Sequence, residues 1–270
     1  MTPASLLAAA LRADPARPLL TFTDDATGER TELSVATFAN WVAKTANLLQ
    51  DEVAPDPGAP VALGLPVHWQ AAVWLQACWA AGHPVRLGPA DGTAGPDAVA
   101  VLAHDSRPAA GAAPAAVVSL GLGPLGLPRP GVLPAYPDAL DFDREVHGHG
   151  DRFTALVPPG PDDRALVTGG ATLTHAELGA MAAAAQPPGG SLLVTAPLAD
   201  LRSAMATVLV PLATGSRAVL CRHLDVSRLP GRVAEERVVA AVHPGGAPPE
   251  REQTVTAALP EWNGPGAGMA

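Results

Sequence analysis

Three segments carry residues whose type and spacing could do chemistry. In ALVTGGATLTHAEL, residues 165–178, an apolar run reaches Thr168, stops at Gly169 and Gly170, resumes at Ala171 and Thr172, and leads to Thr174, His175 and Glu177. Paired glycines ahead of a helix can bring backbone amides against a phosphate, or can turn a hairpin. GLGPLG, residues 121–126, has the G-x-G-x-x-G spacing of a dinucleotide loop. Such a loop needs a helix opening at its third glycine, and the prolines of the following LPRPGVLP predict a plain loop instead. DFDREVHGHGD places Asp141, Asp143, Glu145, His147, His149 and Asp151 at every second position, so an extended chain would set six possible ligands on one face. Metal ligands usually converge from different elements. A solvated polar edge with Phe142 and Val146 turned inward explains the alternation as well, and no metal is expected.

The remaining polar residues form no constellation. His175 opens a predicted helix without a serine or cysteine nucleophile nearby, and His68, His83, His104 and His223 stand singly near element ends. The single lysine, Lys44, lies among apolar neighbours in WVAKTANLL, which puts its ammonium on the solvated side of a helix. Cys78 and Cys221 sit in apolar stretches and read as buried free thiols of a cytoplasmic protein, with no zinc spacing. A formal charge of −9 with scattered arginines argues against nucleic acid as a partner. No apolar run approaches the roughly 18 residues that cross a bilayer. The opening MTPASLLAAALRADPARPLL reads as a short amphipathic helix capped near Thr2, not as a signal peptide.

An internal repeat must position these residues. RPLLTF, TELSVATFANWVAKTANLL, APVALGLP and HWQAAVWLQACWAAGHPVRL are matched by RALVTGG, ATLTHAELGAMAAAA, GSLLVTAPL and ADLRSAMATVLVPLATGSRAVL, with Leu19 against Leu166 and Gly82 against Gly215. Each copy reads as two short strands joined by a turn, a helix, a strand, a second helix and a strand. The first helix is capped by Ser34 in one copy and by Thr174, with Glu177 completing a capping box, in the other. Continuous apolar runs predict strands covered on both faces, and helices between them predict mainly parallel sheets. The expected fold is α/β with two pseudo-repeated subdomains, 1–106 and 151–243. A Pro/Gly-rich connection with one strand in AAVVSL spans 107–150. A poorly ordered tail spans 244–270, with a short strand at 253–257.

These copies resemble the start of the adenylate-forming superfamily, which includes acyl-CoA synthetases, peptide-synthetase adenylation domains and luciferases, and among them a group of short stand-alone members. The resemblance runs to about Val239 and covers only about the first half of such an enzyme. It implies a large domain that opens with two similar α/β subdomains. It also implies a lysine-bearing phosphate loop just ahead of the L-T-H segment, where Thr168, Gly169, Gly170, Ala171 and Thr172 now stand, shortened and without the lysine. The segment Pro-Leu-x-His, which borders the acyl pocket in the family, corresponds to Pro197, Leu198, Ala199 and Asp200, so a carboxylate replaces the histidine. Neither Tyr-Gly-x-Thr-Glu nor Thr-Gly-Asp is present.

The expectation is therefore an AMP-dependent synthetase/ligase-like protein that is noncatalytic and holds a protein partner or a small molecule in the groove between its subdomains. Thr174, His175 and Asp200 are the groove residues, and neither ATP nor AMP is expected as a cofactor. Two other readings stay open: an acyl-CoA ligase completed by a second chain, and an oligomerisation scaffold, for which a homo-oligomer is compatible.

Overall fold

The computed structural model describes residues 1–87, 98–108, 110, 113–128, 131–168, 171–186, 189–243, 259–262 and 264. The chain opens with α1 (Pro3–Ala13), where Thr2 and Ser5 cap each other reciprocally and Pro3 takes the first helical position, as the sequence predicts. The first copy follows as β1 (Pro18–Asp24), β2 (Glu29–Ser34), α2 (Val35–Leu48) with a π-helical turn over Leu49–Val53, β3 (Val61–Gly64), α3 (Trp69–Ala81) and β4 (Val85–Leu87). β5 (Val99–Ala103) closes the first subdomain, and the connection supplies β6 (Ala116–Leu120), β7 (Leu140–Asp141) and the short α4 (Phe142–Glu145). The second copy repeats the first as β8 (Arg164–Thr168), β9 (Ala171–Thr174), α5 (His175–Ala184), β10 (Ser191–Val194), α6 (Leu201–Ala204), a π-helical turn over Met205–Leu209, α7 (Val210–Thr214) and β11 (Arg217–Arg222). It ends with α8 (Leu229–Glu236) and β12 (Val238–Val242).

Local chemistry explains the repeated boundaries. Ser34 Oγ accepts the Thr37 amide at 3.1 Å and Thr174 Oγ1 accepts the Glu177 amide at 3.2 Å, so both copies start their first helix with a hydroxyl cap. Both copies end their second helix at a glycine in the left-handed region, Gly82 at φ 81° and Gly215 at φ 77°. A side chain there would be strained, which is why the two glycines align in the sequence.

Two sheets result, ordered β12-β10-β11-β1-β2 and β7-β6-β5-β3-β4-β8-β9. All pairings are parallel except within the hairpins β1–β2 and β8–β9. The sheets cut across the division of the chain at 106 and 151. Each copy sends its hairpin into the other copy's sheet: β1 pairs with β11, with Leu20 opposite Ala218, and β8 pairs with β4, with Leu166 opposite Val85. The physical reason is edge protection. A hairpin laid beside β11 or β4 pairs a strand edge that would otherwise be left open.

Helix α3 lies between the sheets and contacts β1 of one and β3 and β4 of the other. Its residues 69–79 are all buried, the pattern of a helix surrounded by protein on every side. Trp79 Nε1 donates to the carbonyl of Ala165 at 2.8 Å, which ties this helix to β8. One core runs through both sheets, from Leu20 and Phe22 to Leu166 and Leu220. Of the tail, Leu259 is buried and Glu261 bridges Ala241 of β12, while 253–257 lie outside the described residues.

Candidate functional site

The segment that suggests a phosphate loop is framed by a hairpin. Strands β8 and β9 pair antiparallel with Thr168 opposite Ala171 and Val167 opposite Thr172. Gly169 and Gly170 lie outside the described residues. Thr168 Oγ1 donates to the carbonyl of Ala199 at 3.5 Å, so the structure brings this turn to the segment that ends in Asp200.

Two of the three groove residues, Thr174 and Asp200, serve as helix caps. Thr174 caps α5, and Glu177 Oε2 accepts the Thr174 amide at 2.8 Å, which holds the Glu177 carboxyl below its usual range. Asp200 caps α6 by accepting the Ser203 amide at 2.7 Å. His175 is buried with no hydrogen-bond partner on either ring nitrogen. Burial pushes its pKa down, against the opposing charge of Asp163. An uncharged imidazole in an apolar site packs well and makes a poor anchor for an anion. Lys44 is not free on a solvated face: it donates to the His149 carbonyl at 2.7 Å and pairs with Asp151 at 2.9 Å, clamping the end of the connection to α2.

A second cluster forms where sequence reading expects a solvated edge. Residues 142–145 are helical, so the run from Asp141 to Asp151 does not share one face. Phe142 and Val146 turn inward as expected, yet Asp143 is fully buried as well, while Glu145, His147 and Asp151 stay exposed. Asp143 Oδ2 accepts the Gly121 amide at 2.8 Å, and His104 Nε2 stands 3.6 Å from Asp141 Oδ1. Burial pushes the Asp143 carboxyl up, against the Gly121 hydrogen bond and the His104 charge. Gly121 is the first glycine of GLGPLG, which forms a loop ending in a 3-10 turn at Pro124–Gly126. A Cβ at position 121 would lie 2.4 Å from Asp143 Oδ2, so only glycine lets the backbone amide reach the carboxylate. Sequence reading misses this cluster because its parts are about 20 residues apart. The available signal was a histidine directly after the continuous apolar run AVAVLA.

Two cavities flank these elements. One of about 150 Å³ is lined by His104, Asp105, Gly121, Leu122, Val132 and Arg222, so it joins the carboxyl ends of β5 and β6 to the end of β11 in the other sheet. Carboxyl ends of parallel strands are the usual ligand crevices of α/β sheets. The other, about 450 Å³, lies between the β1–β2 turn and α8. Its lining holds two ion pairs: Arg232 grips Asp25 through two hydrogen bonds of 2.6 and 3.1 Å, and Arg30 pairs with Glu236 at 3.1 Å. Burial raises the Asp25 carboxyl, but the Arg232 and Asp225 hydrogen bonds outweigh it and hold the group below its usual range.

Comparison with known proteins places this architecture. No family model matches the chain. The crystal structure of a Brucella canis acyl-CoA synthetase superposes with a TM-score of 0.70 over 96% of this chain, at 16% identity. This chain spans about half of that synthetase, 49% of its length, and the likeness is one of fold. Among the described residues no helix is long and apolar enough to cross a membrane. A TIGR03089 family protein of Mycobacterium tuberculosis (strain ATCC 25618 / H37Rv) is 38% identical over 240 residues, which are 84% of this chain and 92% of the relative. Identity at that level across most of both proteins makes this chain a member of the TIGR03089 family.

Proposed function

We propose that this protein is a noncatalytic relative of the adenylate-forming synthetases that binds a partner or a small molecule in the groove between its two subdomains. The carrying observation is the direct pairing of Thr168 with Ala171, at the position where the synthetase resemblance calls for a lysine-bearing loop around the phosphates of ATP. The lone lysine supports the same reading, since its ammonium is committed to His149 and Asp151 in the first copy. Without that cation the charge that develops as pyrophosphate leaves is unscreened. ATP and AMP are then not reacting cofactors. Two buried free cysteines fit a cytoplasmic setting; burial raises the Cys78 thiol, and it pushes the Cys221 thiol up to about 11.

The test is carboxylate-dependent exchange of pyrophosphate into ATP by the purified chain, together with calorimetry against ATP, AMP and acyl-CoA. Exchange above background overturns the proposal. A second reading is favoured by one observation, the 49% coverage of the synthetase: the chain is half of a ligase completed by another polypeptide. Exchange that is absent alone but appears with a co-purified second chain would select it.

A further inference from the structure

The end of β5 and the connection that follows it together build a site that neither the synthetase likeness nor the groove reading requires. We propose that His104, Asp141 and Asp143 bind a divalent cation, Zn²⁺ by the chemistry of the set, through one imidazole nitrogen and two carboxylate oxygens. The three residues come from three segments: His104 directly follows β5, Asp141 ends β7, and Asp143 lies in α4. One donor atom from each lies within 4.8 Å of the other two. The 3.6 Å between His104 Nε2 and Asp141 Oδ1 is close to the roughly 3.4 Å that tetrahedral zinc sets between two ligand atoms.

The hydrogen bonding leaves the right atoms over. Each carboxylate spends its Oδ2 on a protein donor, Asp143 on the Gly121 amide at 2.8 Å and Asp141 on Arg144 Nε at 3.1 Å. Its Oδ1 is sealed from solvent and makes no hydrogen bond of full geometry in either residue, although the Gln70 side chain also faces the Asp143 carboxyl. Both nitrogens of His104 are in the same state, although the residue is only 5% exposed. Buried polar atoms are rarely left unmade, and one cation among the three residues would give the free Oδ1 atoms and an imidazole nitrogen a common partner. The Oδ2 contacts resemble the outer hydrogen bonds that fix the orientation of metal-binding carboxylates. Mixed nitrogen and carboxylate donors suit zinc better than calcium or magnesium, which take oxygen alone. Three protein ligands leave a further position on the ion for water.

The full chain, stripped with chelator and then titrated with Zn²⁺ by calorimetry, is expected to bind one equivalent and to gain thermal stability. Co²⁺ should give a visible absorption band that Zn²⁺ displaces. His104→Gln and Asp143→Asn should weaken binding by more than tenfold and abolish the band, while His149→Gln leaves both unchanged. Asp141→Asn, at the more open rim of the cluster, provides a second comparison of the same kind. Absence of uptake by the wild type, or equal uptake by wild type and the ligand variants, overturns the assignment.

Discussion

The two sheets share one strand order and differ in what stands at its end. β10, β11, β1 and β2 correspond to β3, β4, β8 and β9, and β12 corresponds to β5. Both outer strands begin at equivalent register, Val238 opposite Ser191 and Val99 opposite Val61, and both are followed by a buried histidine, His243 and His104. Beyond that point the copies part. In the five-stranded sheet the carbonyl of His243 accepts a hydrogen bond from Arg202, and the charges near the opposite hairpin are paired. In the seven-stranded sheet β6, β7 and α4 continue the layer and bring two carboxylates to His104 instead. Duplication supplies the scaffold, and the segment present only in the connection supplies the unbalanced charge. A site is therefore sought where the copies differ, because shared positions are already spent on packing.

The largest expected effect tests whether the two sheets depend on one core. Trp79→Ala empties a fully buried site in the last turn of α3 and strands the Ala165 carbonyl, and should cost about 3–5 kcal/mol. Urea unfolding followed by fluorescence and by circular dichroism should still show one transition. Two separated transitions would mean that the sheets are independent units. Next, Asp25→Asn should cost about 3 kcal/mol by leaving the Arg232 guanidinium buried without its partner. Asp143→Asn in metal-free protein should change stability by less than about 1 kcal/mol or raise it, since it removes a buried carboxylate that lacks a cation. A comparable loss in both variants, measured by denaturant midpoint, would erase the contrast between paired and unpaired charge.

The same contrast has a pH signature. The Asp25 carboxyl faces Arg232, Arg228, the Asp225 amide and Cys221, and its pKa is lowered on folding. Its contribution is complete above the unfolded value of about 3.9 and is lost as pH falls through the lower folded value. The acid limb of a stability profile should therefore flatten in Asp25→Asn. The smallest effect concerns the helix starts. Thr174→Ala should cost about 1 kcal/mol and Ser34→Ala less, because only Thr174 also receives Glu177 in return. Equal losses by thermal denaturation would show that the capping box adds nothing over the single cap.

Much of the fold was legible because its signals are local. Leu19 aligned with Leu166, the caps at Ser34 and Thr174, the glycines at 82 and 215 and the apolar runs of β3 and β10 each report a strand, a helix start or a helix end within a few residues of themselves. The candidate site was less legible. An every-second-residue reading of 141–151 assumed extended backbone, while Phe142–Glu145 turn into a helix and carry Asp143 inward. Thr174 caps α5 as its spacing to Glu177 predicts, while the cap at Asp200 went unread although the Asp-x-x-Ser spacing at 200–203 permits it.

By itself the sequence determined the repeat, the element order within each matched copy and the mainly parallel character of the sheets. Periodicity, capping and side-chain chemistry act over a few residues and survive in any arrangement of the parts. Only the tertiary structure decided that each hairpin joins the other copy's sheet, that α3 serves both layers, and that His104 meets Asp141 and Asp143. Those outcomes depend on pairing strand edges and burying apolar faces between segments up to about 200 residues apart, as with Leu20 and Ala218. No short stretch of sequence carries that information, because the free energy resides in the contact and not in either partner.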